Sequence, residues 1–302
     1  MKRTSRNSKN RKSSAAAALA LGANNYGKSR VRMVKVTRKG KTHTVREFSV
    51  DIALTGDFEA IHCAGDNALC LPTDTMKNTV YALGKDHPID SIESFAAHLG
   101  NHFVQRNQQV SSARIKVAEV AWERVAVGKK GTPHPHCFSK GSDERAMCDV
   151  TVERSGTTVI SGIDGLVILK SANSAFSGYP RDEFTTLPET RDRIFCTSVT
   201  ARWMCAAPGS IDRNACRNTI RTALVETFAA HKSESVQQTL YAMGEAALAA
   251  CPKAEMIRLS LPNKHCLLIN LAPFGLTNKN EIFVPTDEPH GLIEATVERT
   301  TR

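Results

Sequence analysis

The chain has 302 residues, 41% of them hydrophobic, enough for one large domain or two of ordinary size around a buried core. No apolar run reaches membrane-spanning length, which excludes a helical membrane protein at the level of sequence. The formal charge of +10 suggests a nucleic-acid ligand until it is located: residues 1–50 hold 14 Lys and Arg against one acid, Glu47, leaving the rest of the chain at −3. The basicity belongs to one end, so nucleic acid is not an expected partner of the folded body. Nine cysteines are scattered without a C-x-x-C pair, which argues for free thiols in a reducing compartment and a cytoplasmic location.

Residues 1–23 carry six Lys and Arg within the first twelve positions, followed by an Ala/Leu run to Gly22. The run is too short and too rich in alanine for a convincing signal or transit peptide, so a disordered basic tail is expected. Val31–Thr37 and Phe48–Leu54 then read as paired strands, joined by a charged turn at Arg38-Lys39-Gly40-Lys41. Met76, Val80 and Leu83 have helical spacing, with Thr73, Asp74 or Thr75 as the N-cap. Asp90 and Glu93 are spaced as a capping box for a second helix with Ile92, Phe95, Leu99 and Phe103 inward. Strands follow around Ile115–Val125 and Met147–Val152.

The same order then recurs. Thr158–Leu169 and Arg193–Trp203 are strand-like, and two helices are marked by Cys216, Ile220, Leu224 and Phe228, then by Val236, Leu240, Met243 and Ala247 before Pro252. Ile257–Leu261 and His265–Leu271 are the expected closing strands. Two copies of a ββααββ plan, residues 24–153 and 154–302, describe this α+β chain better than one undivided domain. The halves share element order rather than detectable sequence.

Pro262-Asn263-Lys264-His265 interrupts the last pair of strands. Proline has no backbone N–H, so this position predicts a bulge, bend or edge, and bulges commonly aim side chains at active sites. A surface turn with ordinary polar residues explains the same four residues. His134-Pro135-His136-Cys137 invites a metal reading, but no further ligand completes a zinc-like set, and the prolines with Gly131 predict a loop. No phosphate-cradling, nucleophile-elbow or dinucleotide motif is present. Among isolated candidates, Arg193 suits planar bidentate recognition of an anion or heterocycle. Gln237, after Val236 in a helix first turn, can read a heterocycle edge beside free N–H groups. Phe176, in a polar Gly-containing stretch, can stack on a planar ligand. A solvated Arg, a surface Gln and a loop-covering Phe account for each of them equally well.

Together these stretches resemble the urate oxidase (uricase) family. The blocks are Tyr26-Gly27-Lys28 with Val31-Arg32; Thr73-Asp74-Thr75-Met76-Lys77-Asn78-Thr79-Val80-Tyr81; Leu169-Lys170-Ser171 through Phe176; and Arg181-Asp182-Glu183-Phe184-Thr185-Thr186-Leu187. Asp192-Arg193, Ser235-Val236-Gln237-Gln238-Thr239-Leu240-Tyr241, Ser260-Leu261-Pro262-Asn263-Lys264-His265 and Gly291-Leu292-Ile293 continue in family order. The resemblance implies two tandem tunnelling-fold (T-fold) domains with antiparallel sheets, a barrel-like homotetramer with active sites at subunit interfaces, and cofactor-free, metal-free oxidation of urate by O2 and water to 5-hydroxyisourate and hydrogen peroxide.

It also implies residue roles. Arg193, Gln237 and the backbone N–H of Val236 would hold the urate anion, with Phe176 stacked on its face. Thr73 and Asp74 would reach the ligand from a neighbouring subunit. Lys28, Thr73 and His265 would form a proton relay, and Asn263 with Thr73 would hold O2 and then the attacking water. Three departures from the family pattern stand out: Leu71-Pro72 before Thr73, which threatens its position; Trp203-Met204-Cys205, expected to be a packing change; and the basic tail, which has no counterpart in the family pattern. The rival readings are a metal-dependent T-fold purine or pterin enzyme, a catalytically inactive T-fold purine-binding protein, and a relative tethered to nucleic acid by its tail.

Overall fold

Residues 19–205 and 211–300 are described by a computed structural model. Of the expected basic tail, residues 1–18 lie outside the described residues, and 19–25 form neither helix nor strand. Eight strands follow in the order β1 (Tyr26–Lys39), β2 (Thr42–Gly56), β3 (Val110–Val127), β4 (Thr132–Glu153), β5 (Gly156–Lys170), β6 (Phe195–Cys205), β7 (Ala254–Leu268) and β8 (Phe283–Glu298). Each pairs antiparallel with the next, giving one sheet whose spatial order is its chain order. Helices α1 (Glu59–Cys63), α2 (Thr73–Asp86) and α3 (Ile92–Arg106) lie between β2 and β3, and α4 (Arg213–Ala230) and α5 (Val236–Ala250) between β6 and β7.

The strands form where the side chains alternate. On β2, Phe48, Val50, Ile52 and Leu54 are buried, while Ser49, Asp51 and Ala53 are only partly so. The turn before it uses Gly40 at φ +59°, a left-handed conformation that a side chain would strain. Helices from each half cover their own strands, giving two hydrophobic clusters. One gathers β1–β4 side chains with Met76, Val80, Phe95 and Leu99; the other gathers β5–β8 side chains with Ile220, Leu224, Leu240 and Met243.

The two halves solve helix-on-sheet packing in the same way. A Cβ on Gly100 of α3 would lie 2.6 Å from a methyl of Val152, and one on Gly244 of α5 would lie 2.6 Å from a methyl of Val297. Glycine there lets the last helix of each half settle directly onto a strand. A lysine on the first strand of each half also satisfies helix C-terminal carbonyls, which carry partial negative charge. Lys35 donates to the Gly84 carbonyl at 2.8 Å, and Lys170 donates to the His231 carbonyl at 2.6 Å.

Several expectations change. Helix α2 begins at Thr73 itself, so Pro72 occupies the cap position and no side chain caps the helix. Pro72 suits it, since its φ of −58° is preset and it has no N–H to satisfy. The capping box of α3 is Ser91 with Ser94, displaced by one residue from Asp90 and Glu93, because Glu93 points inward. Arg193 precedes β6 instead of belonging to it. Residues 133–137, expected in a loop, are part of the β3–β4 hairpin, whose turn uses Gly128 and Gly131 at positive φ. The two closing strands are one strand, β7, and the true last strand is β8, whose mostly exposed residues lack a core-facing alternation.

The halves are joined by the β4–β5 ladder and by side chains from α4. Arg217 of α4 pairs with Glu93 of α3 at 2.5 Å, with side-chain exposures of only 9% and 2%. Arg221 forks onto Glu144 at 2.7 and 2.8 Å, and Asn214 donates to the Asp90 carbonyl at 2.7 Å. Removing one member of a buried ion pair strands the other in low dielectric. Arg217→Ala is therefore expected to cost about 3–5 kcal/mol of stability, read from denaturant unfolding midpoints, whereas replacing both partners by apolar residues of similar volume should recover most of the loss.

Candidate active site

Strand β7 carries the centre of the site. Ser260 pairs with Thr200 of β6 and Asn263 with Thr197, so Pro262 sits between them and faces Leu292 of β8. The β7–β8 ladder shifts between Asn263 and His265, so the expected bulge is present where the polar residues lie. Asn263 and His265 line a cleft of about 660 Å³ that also takes in Arg193, Glu189, Thr190 and Phe283.

Arg193 is positioned by the loop before β6, with its guanidinium carbon 5.5 Å from the centroid of the Phe176 ring. That is cation–π distance. The Arg193 Nε is buried and has no hydrogen-bond partner among the described residues. Burial pushes the guanidinium below its ordinary pKa, though an arginine keeps its charge at any physiological pH. Phe176 is itself fixed: it exchanges backbone hydrogen bonds with Thr190 at 2.8 and 3.0 Å, and its ring stacks on Tyr179 at 4.8 Å.

The same segment is tied to the start of α5. Ala175 donates to the Ser233 carbonyl at 2.7 Å, and Ser233 donates to the Asn173 carbonyl at 3.0 Å. Ser235 is the N-cap of α5, its hydroxyl accepting from the Gln238 N–H at 3.1 Å. Val236 and Gln237 open the helix, where N–H groups have no intrahelical carbonyl. The Val236 side chain is buried and anchors that turn, while Gln237 is exposed. Phe176, Arg193, Val236, Gln237, Asn263 and His265 are thus all positioned by the second half of the chain.

Lys28, Thr73 and Asp74 form a second group, on the first half. Lys28 lies beside a register shift between itself and Val31, where Arg30 takes φ +56° and donates its N–H to the Asp51 carboxylate at 2.6 Å. Gly27 must be glycine, because a Cβ would fall 1.8 Å from the Ile52 carbonyl oxygen. The segment entering α2 is anchored to β1 by the Leu71 N–H, which donates to the Tyr26 hydroxyl at 2.8 Å. Burial and the neighbouring Cys70 push that hydroxyl up to about 12. This contact holds Thr73 at the head of α2 despite the unusual Leu71-Pro72. Asp74 is exposed and pairs with Lys77 at 2.5 Å and Asn78 at 3.0 Å. Lys77, with a smaller contribution from Lys28, holds its carboxyl below the ordinary range.

The nine predicted residues are therefore divided between the two halves: Arg193, Asn263 and His265 line one cleft, whereas Phe176, Val236 and Gln237 of the same half, and Lys28, Thr73 and Asp74 of the other, do not line it. Sequence reasoning missed Tyr179 and Thr190, which fix Phe176; the Phe176-x-x-Tyr179 spacing within a Gly-containing loop was the available signal. In the β3–β4 hairpin, the rings of His134 and His136 lie 4.6 Å apart and His43 lies 5.6 Å from His136. Among the described residues no three or more His, Cys, Asp or Glu are grouped to hold a metal ion. Trp203, at the second sequence departure, is fully buried in the core, consistent with a packing change.

A family model described as Uricase matches residues 24–151 and 159–294. The chain is 42% identical over 281 residues to a uricase of Arthrobacter globiformis, covering 93% of this chain and 90% of that protein. It is 38% identical over 280 residues to a uricase of Oryctolagus cuniculus, covering 91% and 93% respectively. The crystal structure of the Arthrobacter globiformis uricase matches with a TM-score of 0.88, covering 94% of this chain and 96% of that one. A uricase structure from Bacillus fastidious, at 22% identity and a TM-score of 0.81, shares the fold. Because the family match spans both halves and reaches both residue groups, the chain belongs to the uricase family.

Proposed function

We propose that the chain oxidises urate with O2 and water to 5-hydroxyisourate and hydrogen peroxide, without a cofactor. The observation that carries this reading is Arg193, a partly buried guanidinium with an unpartnered Nε, lying over Phe176 and lining a cleft edged by Asn263 and His265. That arrangement suits a flat, anionic heterocycle: a fork for two in-plane acceptors and an aromatic face beneath. Gln237 and the Val236 N–H supply the remaining in-plane hydrogen bonds. Metal chemistry is unnecessary in this scheme, because the urate dianion is electron-rich enough to transfer two electrons to O2. The two protons that accompany them reach peroxide through Lys28, Thr73 and His265, with the lysine amine activating the threonine hydroxyl. Asn263 and Thr73 hold O2 above the ring, and then the water that adds to the oxidised purine.

This scheme requires the relay residues Lys28 and Thr73, with the ligand contact Asp74, to meet a cleft built by the other half of a chain. We read the two halves as tandem T-fold domains, residues 24–153 and 154–302, whose copies supply complementary half-sites. The sheet supports this, because β1 and β8 are its two edges and run for 14 and 16 residues. Edges of that length invite pairing with another copy. Closure of the sheets into a barrel, stacked as a homotetramer, completes the sites. No helix among the described residues is long and apolar enough to cross a membrane, and the free thiols fit a cytoplasmic enzyme.

Loss of urate near-ultraviolet absorbance with peroxide release, on chelator-treated protein, tests the reaction; urate binding without consumption would favour the inactive purine-binding reading. Lys28→Met and Thr73→Ala should each lower kcat by about a hundredfold with little change in KM, and wild-type turnover in Thr73→Ala would remove the relay. Arg193→Ala should reduce urate binding below detection in anaerobic calorimetry. If sites are shared between copies, co-refolding Thr73→Ala with Arg193→Ala should restore activity that neither variant has alone. Sites complete within one chain would give no such rescue.

A further inference from the structure

Three cysteines outside the site converge where the α4–α5 hairpin meets the end of β6. Cys216 lies in the first turn of α4 and Cys251 caps the end of α5; both are buried, and their sulfurs are 2.7 Å apart as free thiols. Cys205 closes β6, is half-buried, and lies near enough to Cys216 for that thiol to favour its thiolate. Buried cysteines usually act as small hydrophobes, spread through a core. Two buried sulfurs in contact, with a half-buried third thiol beside one of them, have the layout of an attacking thiol backed by resolving thiols.

We propose that Cys205, Cys216 and Cys251 form a peroxide-responsive thiol relay that closes a Cys216–Cys251 disulfide across the α4–α5 hairpin. The Cys205 thiolate attacks hydrogen peroxide: an S–O bond forms, the O–O bond breaks, and hydroxide leaves to take up a proton as water. Cys205 is then a sulfenic acid. The Cys216 thiol attacks that sulfur and expels the hydroxyl as a second water, giving a Cys205–Cys216 disulfide. Cys251 next attacks the Cys216 sulfur, and Cys205 leaves with its electron pair. In sum two thiols are oxidised, one peroxide is reduced to two waters, and Cys205 is regenerated.

The electrostatics fit this order of events. The neighbouring Cys216 thiol, with Arg213 nearby, lowers Cys205 to about 7 against burial, Glu93 and Glu255, while Cys216 is pushed upward by its neighbour and by desolvation. A thiol with substantial thiolate near neutrality is both a competent nucleophile and the better leaving group in the final exchange. The product would staple two helices whose linked residues are 35 apart, over the core of the half that builds the cleft. The proposal rests on the urate-oxidising reading only for its source of peroxide.

The test is chemical and uses the full-length, fully reduced protein. Hydrogen peroxide is added, thiols are alkylated in denaturant, and peptides are mapped by mass spectrometry. The titratable thiols should fall by two from nine, with a Cys216–Cys251 peptide that a reducing dithiol removes. Cys205→Ser should slow bridge formation by about tenfold or more, and Cys251→Ser should stop the relay at Cys205–Cys216. Cys216 and Cys251 remaining alkylatable while exposed Cys63 and Cys137 oxidise would overturn the relay; so would wild-type bridging in Cys205→Ser. The wild-type map decides even if a variant misfolds. A parallel sample given urate and O2 separates the two readings: bridging with added peroxide but not with urate would retain the relay and count against urate oxidation.

Discussion

Everything in this molecule hangs on an uninterrupted antiparallel ladder, in which each strand pairs with its chain neighbours from β1 to β8. The link that makes it one sheet is β4 with β5, from Arg145 opposite Asp164 to Glu153 opposite Gly156. With that pairing, helices from both halves fall on the same face and bury two separate clusters against it. The Glu93–Arg217 pair then has a place between α3 and α4, where it is worth keeping only because both partners are present. The same ladder leaves two long edges, and an edge strand that keeps its hydrogen-bonding groups free is a ready surface for another copy.

Placement of the site follows from breaks in that ladder. Strand β1 shifts register just after Lys28, and β7 shifts beside Asn263 and His265. Regular pairing would alternate these side chains between faces, whereas a bulge re-aims them. The remaining candidate residues come from chain that leaves the sheet: Arg193 before β6, Phe176 in the preceding loop, and the first turn of α5. Two short backbone ties, Phe176 with Thr190 and Ala175 with Ser233, hold those loops together. Rigid strands thus carry the polar groups that would act on protons, and cross-tied loops carry the groups that would hold a planar anion.

Cysteine usage adds a second layer. Six thiols are spread singly or along the sheet, but Cys205, Cys216 and Cys251 meet at one corner of the second core. Nothing about hydrophobic packing requires two sulfurs in contact with a third cysteine beside them, since alanine or valine would fill comparable volume. An enzyme that generates an oxidant has a use for a thiol group that registers it.

The sequence by itself determined the element order, the helix faces and the polar interruption in β7, because period-two and period-3.6 patterns of burial are local and proline cannot be hidden in a ladder. It also proposed candidate site residues, but only through a family resemblance; taken singly, Arg193 or Gln237 reads as ordinary surface. What it missed was non-local. Strand β8 has few buried residues and so no pattern, and it is a strand because β7 supplies its partners. The capping box moved to Ser91 and Ser94 because Glu93 is claimed by Arg217, which lies 124 residues away. Only tertiary structure could decide that β7 continues through Pro262, that Tyr26 anchors the entry to α2, and that the nine site residues form two groups on opposite halves. Those outcomes depend on which distant groups arrive to satisfy a hydrogen bond or a charge, and short-range patterning carries no record of that.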